Sequence, residues 1–270
     1  MSILRSAQDG VFSRLAALEA GGQSAALCTV TRTSGSVPRR AGAKMLVFPD
    51  GRIEGTVGGG ELEARVIAEA LAALKDGQPR MVEYSLVDRE RGDPGICGGT
   101  VEVFVEPVQP QSTLLIIGAG HVGRALAQLA EMLGYRVLLS DDRPDLCTPE
   151  AVPHAQAFYP VPISELPDNL DITSQTYVAL TTRNAELDIK GLPALLGSPA
   201  AYIGVIGSRR RWAEARKKME AAGVPAAHLD RVHSPMGLEL NAETPEEIAL
   251  SIMSEIVMLR RGGDGKVMSK

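Results

Sequence analysis

The stretch Leu114–Arg124, followed by Tyr135–Arg143, constrains the fold of this chain more than any other, because it reads as strand, glycine turn, helix, strand and acidic stop. Leu114, Leu115, Ile116 and Ile117 form an unbroken apolar run, as a central parallel strand covered on both faces requires. Gly118, Gly120 and Gly123 then fit G-x-G-x-x-G. In that motif the glycines permit a tight turn, close approach of backbone to a phosphate, and close packing of helix on strand. The spacing predicts a helix over 124–133, stopped by Gly134. Asp141 follows about 20 residues after the glycines, at the end of the second strand, where a carboxylate accepts hydrogen bonds from ribose hydroxyls. His121 and Arg124 add polar bulk and charge at the mouth of the turn. The pattern predicts a Rossmann-like unit beginning in mid-chain. It leaves open whether a dinucleotide fills the unit or whether it is a scaffold without nicotinamide chemistry.

A chain of 270 residues has room for two ordinary domains. Its 44% hydrophobic and 23% charged content is that of a folded globular protein. The net charge of -5 and pI near 5.5 exclude a nonspecific nucleic-acid binder, which needs a basic face. The apolar runs fall far short of the roughly 18 residues that span a bilayer, and Met1–Gly10 has no apolar leader core, so no membrane partner and a cytoplasmic location are expected. Cys28, Cys97 and Cys147 are too scattered for a disulfide framework or a C-x-x-C metal site.

Before the glycine turn the pattern changes. Residues 3–20 carry apolar residues at helical spacing, Ala25–Thr31 and Lys44–Phe48 read as strands, and the latter turns through Pro49-Asp50-Gly51 into Arg52–Val57 as a hairpin. Glu61–Lys75 is a helix with Leu62, Val66, Ala70 and Leu74 on one stripe. Met81–Val87 and Thr100–Val105 alternate as half-exposed antiparallel strands do. After Arg143 a proline-rich stretch leaves room only for short strands, Tyr177–Leu180 and Ala201–Ile206 resume the apolar pattern around a crossover helix, and Arg209–Ala222 is a further helix. Thr244-Pro-Glu-Glu247 forms a capping box opening the last helix. The expected fold class is α/β, with a C-terminal Rossmann-like parallel-sheet domain preceded by a smaller α+β domain. The boundaries are 1–108 for the first domain, 109–113 for a linker, 114–262 for the second domain and 263–270 for a tail.

Three further loops in the first domain, and one in the second, have compositions that structure alone does not require. Ser34–Gly42 offers hydroxyls, backbone amides and the guanidinium forks of Arg39 and Arg40, which match a phosphate bidentately, while the alternative is a solvated connection with surface arginines. Gly55–Glu61 opens a helix, so the amides of Gly59 and Gly60 suit an anion, and Glu61 is expected to cap the helix itself. Cys97 lies in the glycine-rich Gly92–Thr100, where amide hydrogen bonds can stabilise a thiolate, and is the one cysteine expected to react; Cys28 and Cys147 read as inert packing. In the second domain Gly207, Ser208 and Arg209 sit where a strand runs into a helix, with Ser208 as N-cap and Arg209–Arg211 at the mouth. At the carboxyl edge of a doubly wound sheet this loop should face the same side as Gly118–Gly123.

In this order the segments resemble the xanthine dehydrogenase accessory protein family of the XdhC/CoxI type. Ser34–Lys44 resembles its G-S-x-P-R-x-x-G-A-K, Gly55–Glu63 its G-x-x-G-G-G-x-x-E, and Cys97–Pro107 its C-G-G-x-x-x-V-x-x-E-P. Leu115–Pro144 resembles its Rossmann half, Tyr202–Arg210 its Y-x-G-x-I-G-S-R-R, and Pro235–Glu255 its P-x-G-L followed by a P-x-E-I-A helix. The resemblance implies a chaperone rather than an enzyme with independent turnover. Such a chaperone binds the molybdenum cofactor (molybdopterin), promotes its sulfuration with a cysteine desulfurase, and inserts it into a client molybdoenzyme of the xanthine dehydrogenase type; a homodimer is compatible with it. Cys97 is then the candidate catalytic residue and molybdenum contact. Two departures stand out: relatives often carry cysteine where this chain has Glu61, and they carry T-H-x-H-x-x-D where this chain reads Thr182-Arg-Asn-Ala-Glu-Leu-Asp188.

Together these readings place one anionic guest in a cleft between the two domains. Arg39, Arg40 and Arg209 hold phosphate, Gly118, Gly120, Gly123 and Asp141 form a nucleotide-like pocket, and Cys97 lies near the metal. The rival reading is an NAD(P)-dependent oxidoreductase that uses the Rossmann crevice, although no obvious proton donor stands beside the turn.

Overall fold

The computed structural model describes residues 7–20, 22–87 and 98–269. The chain divides into two compact units, Met1–Pro110 and Gln111–Lys270. Among the described residues, no helix is long and apolar enough to cross a membrane.

In the first unit, α1 (Ala7–Ala20) leads into β1 (Ala25–Ser34), β2 (Lys44–Val47), β3 (Ile53–Gly55), α2 (Gly60–Asp76), β4 (Arg80–Ser85) and β5 (Thr100–Val108). The strands form an antiparallel sheet in the order β3-β2-β1-β5-β4. The expected apolar stripe explains why α2 lies on this sheet. Leu62, Val66, Ala70 and Ala73 are buried against Cys28, Val30, Met45 and the alternating Val101, Val103 and Val105 of β5. Gly77, in the left-handed conformation, ends the helix by donating its amide to the Ala73 carbonyl. The opposite face is covered only in part: Val11 and Leu18 of α1 cluster with Leu27, Leu46 and Phe48.

The second unit comprises β6 (Thr113–Ile117), α3 (His121–Met132), β7 (Arg136–Ser140), β8 (Ala157–Tyr159), a 3-10 turn (Ile163–Glu165) and α4 (Leu166–Asn169). It continues with β9 (Thr176–Leu180), α5 (Ala185–Leu196), β10 (Tyr202–Val205), α6 (Arg209–Ala221), α7 (Ala226–Leu229), β11 (Val232–His233) and α8 (Pro245–Arg261). All its strand pairs are parallel, in the order β11-β10-β9-β6-β7-β8. This is the doubly wound arrangement, with the chain reversing direction between β6 and β9, where such sheets open a crevice at their carboxyl edge. One face packs on α3 and α8 through Leu126, Ala130, Ile252 and Ile256, and the other on α5 and α6 through Leu192, Leu195, Ala215 and Met219. Burial on both sides accounts for the unbroken apolar runs; every residue of β9 and β10 is buried. The proline-rich stretch yields only the three-residue β8, as expected.

The helix α3 begins at His121, three residues earlier than the spacing suggests, because Gly120 in extended conformation is already its N-cap. At the far edge, buried Glu255 of α8 accepts from the Tyr202 hydroxyl (2.6 Å) and the Gly237 amide (2.6 Å), and pairs with His233 Nδ1 (2.9 Å). It thereby ties α8 to β10, to β11 and to the turn after the cis Ser234–Pro235 bond. The capping box at the start of α8 is present in full: Thr244 Oγ1 accepts from the Glu247 amide at 3.2 Å and Glu247 reaches back to the Thr244 amide at 3.0 Å. Thr244→Ala removes one half of this exchange and should cost about 1 kcal/mol. Urea unfolding followed by fluorescence checks it, since the sole tryptophan, Trp212, is partly buried against the core of this unit. An unchanged midpoint would deny the cap any role in stability.

Candidate functional site

In the first unit, the loops singled out by composition stack on one another, backbone to backbone. A Cβ on Gly99 would overlap the carbonyl oxygens of Ser34 and Ser36, and one on Gly35 would lie 2.7 Å from the Gly98 carbonyl oxygen. A Cβ on Gly58 would lie 2.6 Å from Pro38 Cγ. The signature loop Ser34–Gly42 therefore rests on the triglycine turn at one side and on Gly98–Gly99 at the other. Cys97 lies outside the described residues. Cys28 and Cys147 are buried thiols; burial pushes Cys28 up to about 12 and raises Cys147, so neither is a nucleophile at neutral pH.

Beside this stack is a cavity of about 440 Å³ lined by Pro38, Arg39, Arg40, Lys44, Gly55 and Thr56, with no carboxylate among its lining residues. Arg39 and Arg40 are exposed and have no ion-pair partner among the described residues. Lys44 was not among the expected site residues. Its ammonium donates to the Gly42 carbonyl (3.3 Å) and sits 5.7 Å from the Phe12 ring centroid, which holds it on the cavity wall.

The triglycine turn departs from expectation. Glu63, rather than Glu61, serves the helix start: one Glu63 oxygen accepts from the Thr56 hydroxyl (2.5 Å) and from the amides of Val57 and Gly59 (3.3 Å each). Helical side chains lean toward the N-terminus, so the residue four beyond the N-cap Gly59 falls beneath the free amides. Glu61 points outward to Arg65 (3.2 Å). The Gly59 amide thus already has an anion, supplied by the chain itself. Nothing comparable engages the Gly60 amide among the contacts of Glu63.

In the second unit, β6, β9 and β10 run parallel, so Gly118, Thr181–Arg183 and Gly207–Ser208 share one edge of the sheet. Gly118 adopts φ 118°, and a Cβ there would lie 2.7 Å from the Thr181 carbonyl oxygen. A Cβ on Gly123 would overlap the Gly118 carbonyl oxygen, so this glycine lets α3 sit directly on β6. Arg124 folds back to donate to the Ala119 carbonyl (3.1 Å). His121 is exposed and lines, with Arg124, His154 and Glu246, a shallow groove separate from the cavity at Gly118.

Asp141 is buried and fully engaged. One oxygen accepts from the Arg143 amide (3.0 Å) and Nε (2.8 Å), the other from the Ala119 amide (2.7 Å) and Arg143 Nη2 (2.8 Å). These four bonds use the acceptor sites a carboxylate has, leaving none for the ribose hydroxyls expected from the sequence. Burial alone raises its pKa, but the bonds from Arg143 and Ala119 outweigh this and bring it down to about 2.

The basic triplet divides three ways. Arg209 is exposed, Arg210 pairs with Glu214 (3.1 Å), and Arg211 reaches Asp188 (2.8 Å), while Ser208 caps α6 by accepting from the Arg211 amide (3.2 Å). Asp188 also takes the Thr182 hydroxyl. Arg183 grips both oxygens of Asp142 (2.6 and 2.7 Å), and Asn184 caps α5. A cavity of about 220 Å³ opens at this edge, bounded by Ile117, Gly118, Ile163 and Leu187 within and by Asp141, Asp142 and their arginines at the rim. Among the described residues, no cluster of His, Cys, Asp and Glu is arranged to hold a metal ion.

The depressed Asp141 pKa fixes a pH dependence. A group whose folded pKa is lowered stabilises fully above its unfolded value, near pH 4, and loses that contribution as pH falls through about 2. The contribution is on the order of 2 kcal/mol. Trp212 fluorescence should show wild type more stable than Asp141→Asn by about that amount at pH 6, with the gap closing toward pH 2.5. A gap independent of pH would mean that the charge of Asp141 does not hold the turn.

Comparison with known proteins agrees with this geometry. The model described as the XdhC Rossmann domain matches residues 114–256, and that described as the XdhC and CoxI family matches residues 18–85. The uncharacterized protein YqeB of Escherichia coli K12 is 34% identical over 267 residues, covering 96% of this chain and 48% of that protein. A Bacillus subtilis protein described as a probable xanthine dehydrogenase subunit is 29% identical over 162 residues, covering 60% of this chain and 47% of that protein. The molybdenum cofactor insertion chaperone PaoD of Escherichia coli K12 is 24% identical over 273 residues, covering 88% and 84%. The chain thus spans about half the length of the first two of these relatives. The crystal structure of a xanthine dehydrogenase from Bacillus halodurans shares the fold, with TM-score 0.51 at 24% identity over 96% of this chain and 97% of that one. The signature loops of the first unit and the Rossmann sheet of the second are those of one family, and the chain belongs to the XdhC and CoxI family.

Proposed function

We propose that this chain is an accessory protein that binds the pterin-based molybdenum cofactor and assists its maturation and insertion into a molybdoenzyme of the xanthine dehydrogenase type. The observation that carries the reading is the cavity of the first unit. In a chain of net charge -5, Arg39, Arg40 and Lys44 converge on it and no carboxylate lines it. Three cations without counter-charge among the described residues suit a phosphate-bearing guest, which the two guanidiniums can grip bidentately and the ammonium as a point charge. Family membership and the name of the relative PaoD support the choice of the molybdenum cofactor among such guests.

When bound, the cofactor supplies the molybdenum and its exchangeable oxo ligand; the chain supplies anchorage. In this reading Arg39, Arg40 and Lys44 hold the phosphate. In the second unit Gly120 leaves space beside the turn, whereas the space at Gly118 and Gly123 is taken by Thr181 and by the packing of α3 on β6. Cys97 would be the chain's contact to the bound metal, and a cysteine desulfurase partner would supply the sulfur for its maturation. A nicotinamide-dependent oxidoreductase has less support, because the carboxylate that would take the ribose hydroxyls of NAD is already saturated by Ala119 and Arg143.

The full chain, incubated anaerobically with released cofactor and desalted, should retain molybdenum close to one atom per chain. The variants Arg39→Ala and Arg40→Ala should bind at least tenfold more weakly, as the loss of a charge-assisted contact implies. Cys97→Ala should keep the phosphate-dependent binding but alter the absorption spectrum of the bound metal. Equal molybdenum loading in wild type and both arginine variants would remove this cavity from the account.

A further inference from the structure

Helices cover the two faces of the first unit's sheet unequally. On one face α2 packs over β1, β5 and β4, burying Cys28, Val30, Tyr84, Val101, Val103 and Val105. On the other, α1 contacts β2 and β3 and buries Leu27 and Leu46. The unit has no third helix among its described residues, so the half of this face over β5 and β4 is left without cover from within the unit.

Strand pairing lays out what that half presents. Met81 of β4 stands opposite Phe104 of β5, which stands opposite Thr29 of β1. Met81 is 57% exposed, and Phe104 belongs to neither hydrophobic cluster of the unit. Two residues along β5, Glu102 stands opposite Glu83; two residues the other way lies the exposed Glu106. An apolar row is thus bordered by carboxylates on both sides. Like charges directly opposite each other destabilise a sheet, yet none of these glutamates has an ion-pair partner among the described residues. The Glu102 carboxylate takes only the Thr31 hydroxyl (2.8 Å), and Arg32, its neighbour across in β1, does not pair with it.

These rows select a partner by dimension and by charge. A helix laid along β5 advances about 6 Å in four residues, and the strand about 7 Å in two. A helix with an apolar residue, and Lys or Arg four before and four after it, therefore sets the apolar side chain on Phe104 and Met81 and a cation on each acidic border. The width fits as well: β2 and β5 lie two strand spacings apart, about 10 Å, which is the distance between packed helices. The seated α1 shows the mode, since it places Val11 and Leu18 on the sheet and sends Arg14 to Glu54 of β3 (3.1 Å).

We propose that this half-face docks a basic amphipathic helix of a partner protein, seated alongside α1 with its apolar stripe on Phe104 and Met81 and its cations on Glu83, Glu102 and Glu106. The inference goes beyond the cofactor reading and uses no side chain that lines the cavity of Arg39 and Arg40.

The test uses the full chain and a synthetic helical peptide of Leu, Ala and Lys, with Lys four residues before and after each Leu of one stripe. Titration calorimetry should show binding that weakens as salt is raised. The same peptide with Glu in place of Lys should bind at least about tenfold more weakly, and so should one interrupted by a central proline. In the chain, Glu102→Gln/Glu106→Gln should weaken binding about fivefold and Met81→Ser about threefold. Glu243→Gln, in an exposed loop of the second unit, should change nothing. Circular dichroism establishes that each variant is folded. Equal binding of the Lys and Glu peptides, or affinity unmoved by the glutamate and Met81 changes in folded variants, would overturn the proposal. Undiminished binding of the proline peptide would do so too, because the guest would then be an extended segment. Sedimentation of the chain alone examines the remaining occupant: a dimer that Met81→Arg dissociates would assign the face to a second copy and overturn the partner helix. Molybdenum loading is measured separately and should be unchanged in Glu102→Gln/Glu106→Gln.

Discussion

The second unit depends on a contact between two backbones, α3 on β6 at the glycine turn. Gly123 has no side chain because the Gly118 carbonyl occupies the space, and Gly118 has none because Thr181 does. With helix and strand this close, the turn between them is pinned at its middle by the buried carboxylate of Asp141, which takes the Ala119 amide. That bond joins the ends of two neighbouring parallel strands, and Arg143 closes it from outside. The edge on which the cavity and the starts of α5 and α6 are built is a consequence.

The same device recurs in the first unit. There Glu63 inserts its carboxylate among Thr56, Val57 and Gly59, as Asp141 does among Ala119 and Arg143. A turn that exposes amides near a helix start needs negative charge nearby, and unpaired amides in such a place are costly. In both units an internal carboxylate meets part of that need. Glycine-rich loops that look like anion sites are thus partly satisfied before any guest arrives. Among the described residues, positive charge without an ion-pair partner resides on side chains instead, on Arg39, Arg40 and Lys44 at the cavity of the first unit.

This explains where the sequence is legible and where it is not. Periodicity and punctuation reveal the parallel sheet, the stripe of α2 and the capping box of α8, because those signals are local: buried runs, residues four apart, and a threonine three before a glutamate. The glycine motif is legible for a similar reason, since its close approaches are dictated within a few residues. Partner choice is not local. That Asp141 would spend its acceptors on Arg143, two residues away, is invisible in a motif that also fits a ribose-binding acid. That Glu63 rather than Glu61 would fill the turn depends on the lean of helical side chains, a cue the spacing contains but composition does not.

The segment where relatives carry histidines shows how such substitutions redistribute work. Here Arg183 binds Asp142, Asn184 caps α5, and Asp188, buried beneath them, holds the Thr182 hydroxyl and Arg211. Burial drives the Asp188 pKa upward even against those two partners, which pull it the other way. The basic start of α6, awkward at the positive end of a helix dipole, is thereby relieved by a carboxylate from α5 rather than by a bound anion. A residue pattern that could have served a metal or a proton relay instead joins two helices at the edge of the sheet. Of the basic triplet, Arg209 alone has no carboxylate partner among the described residues.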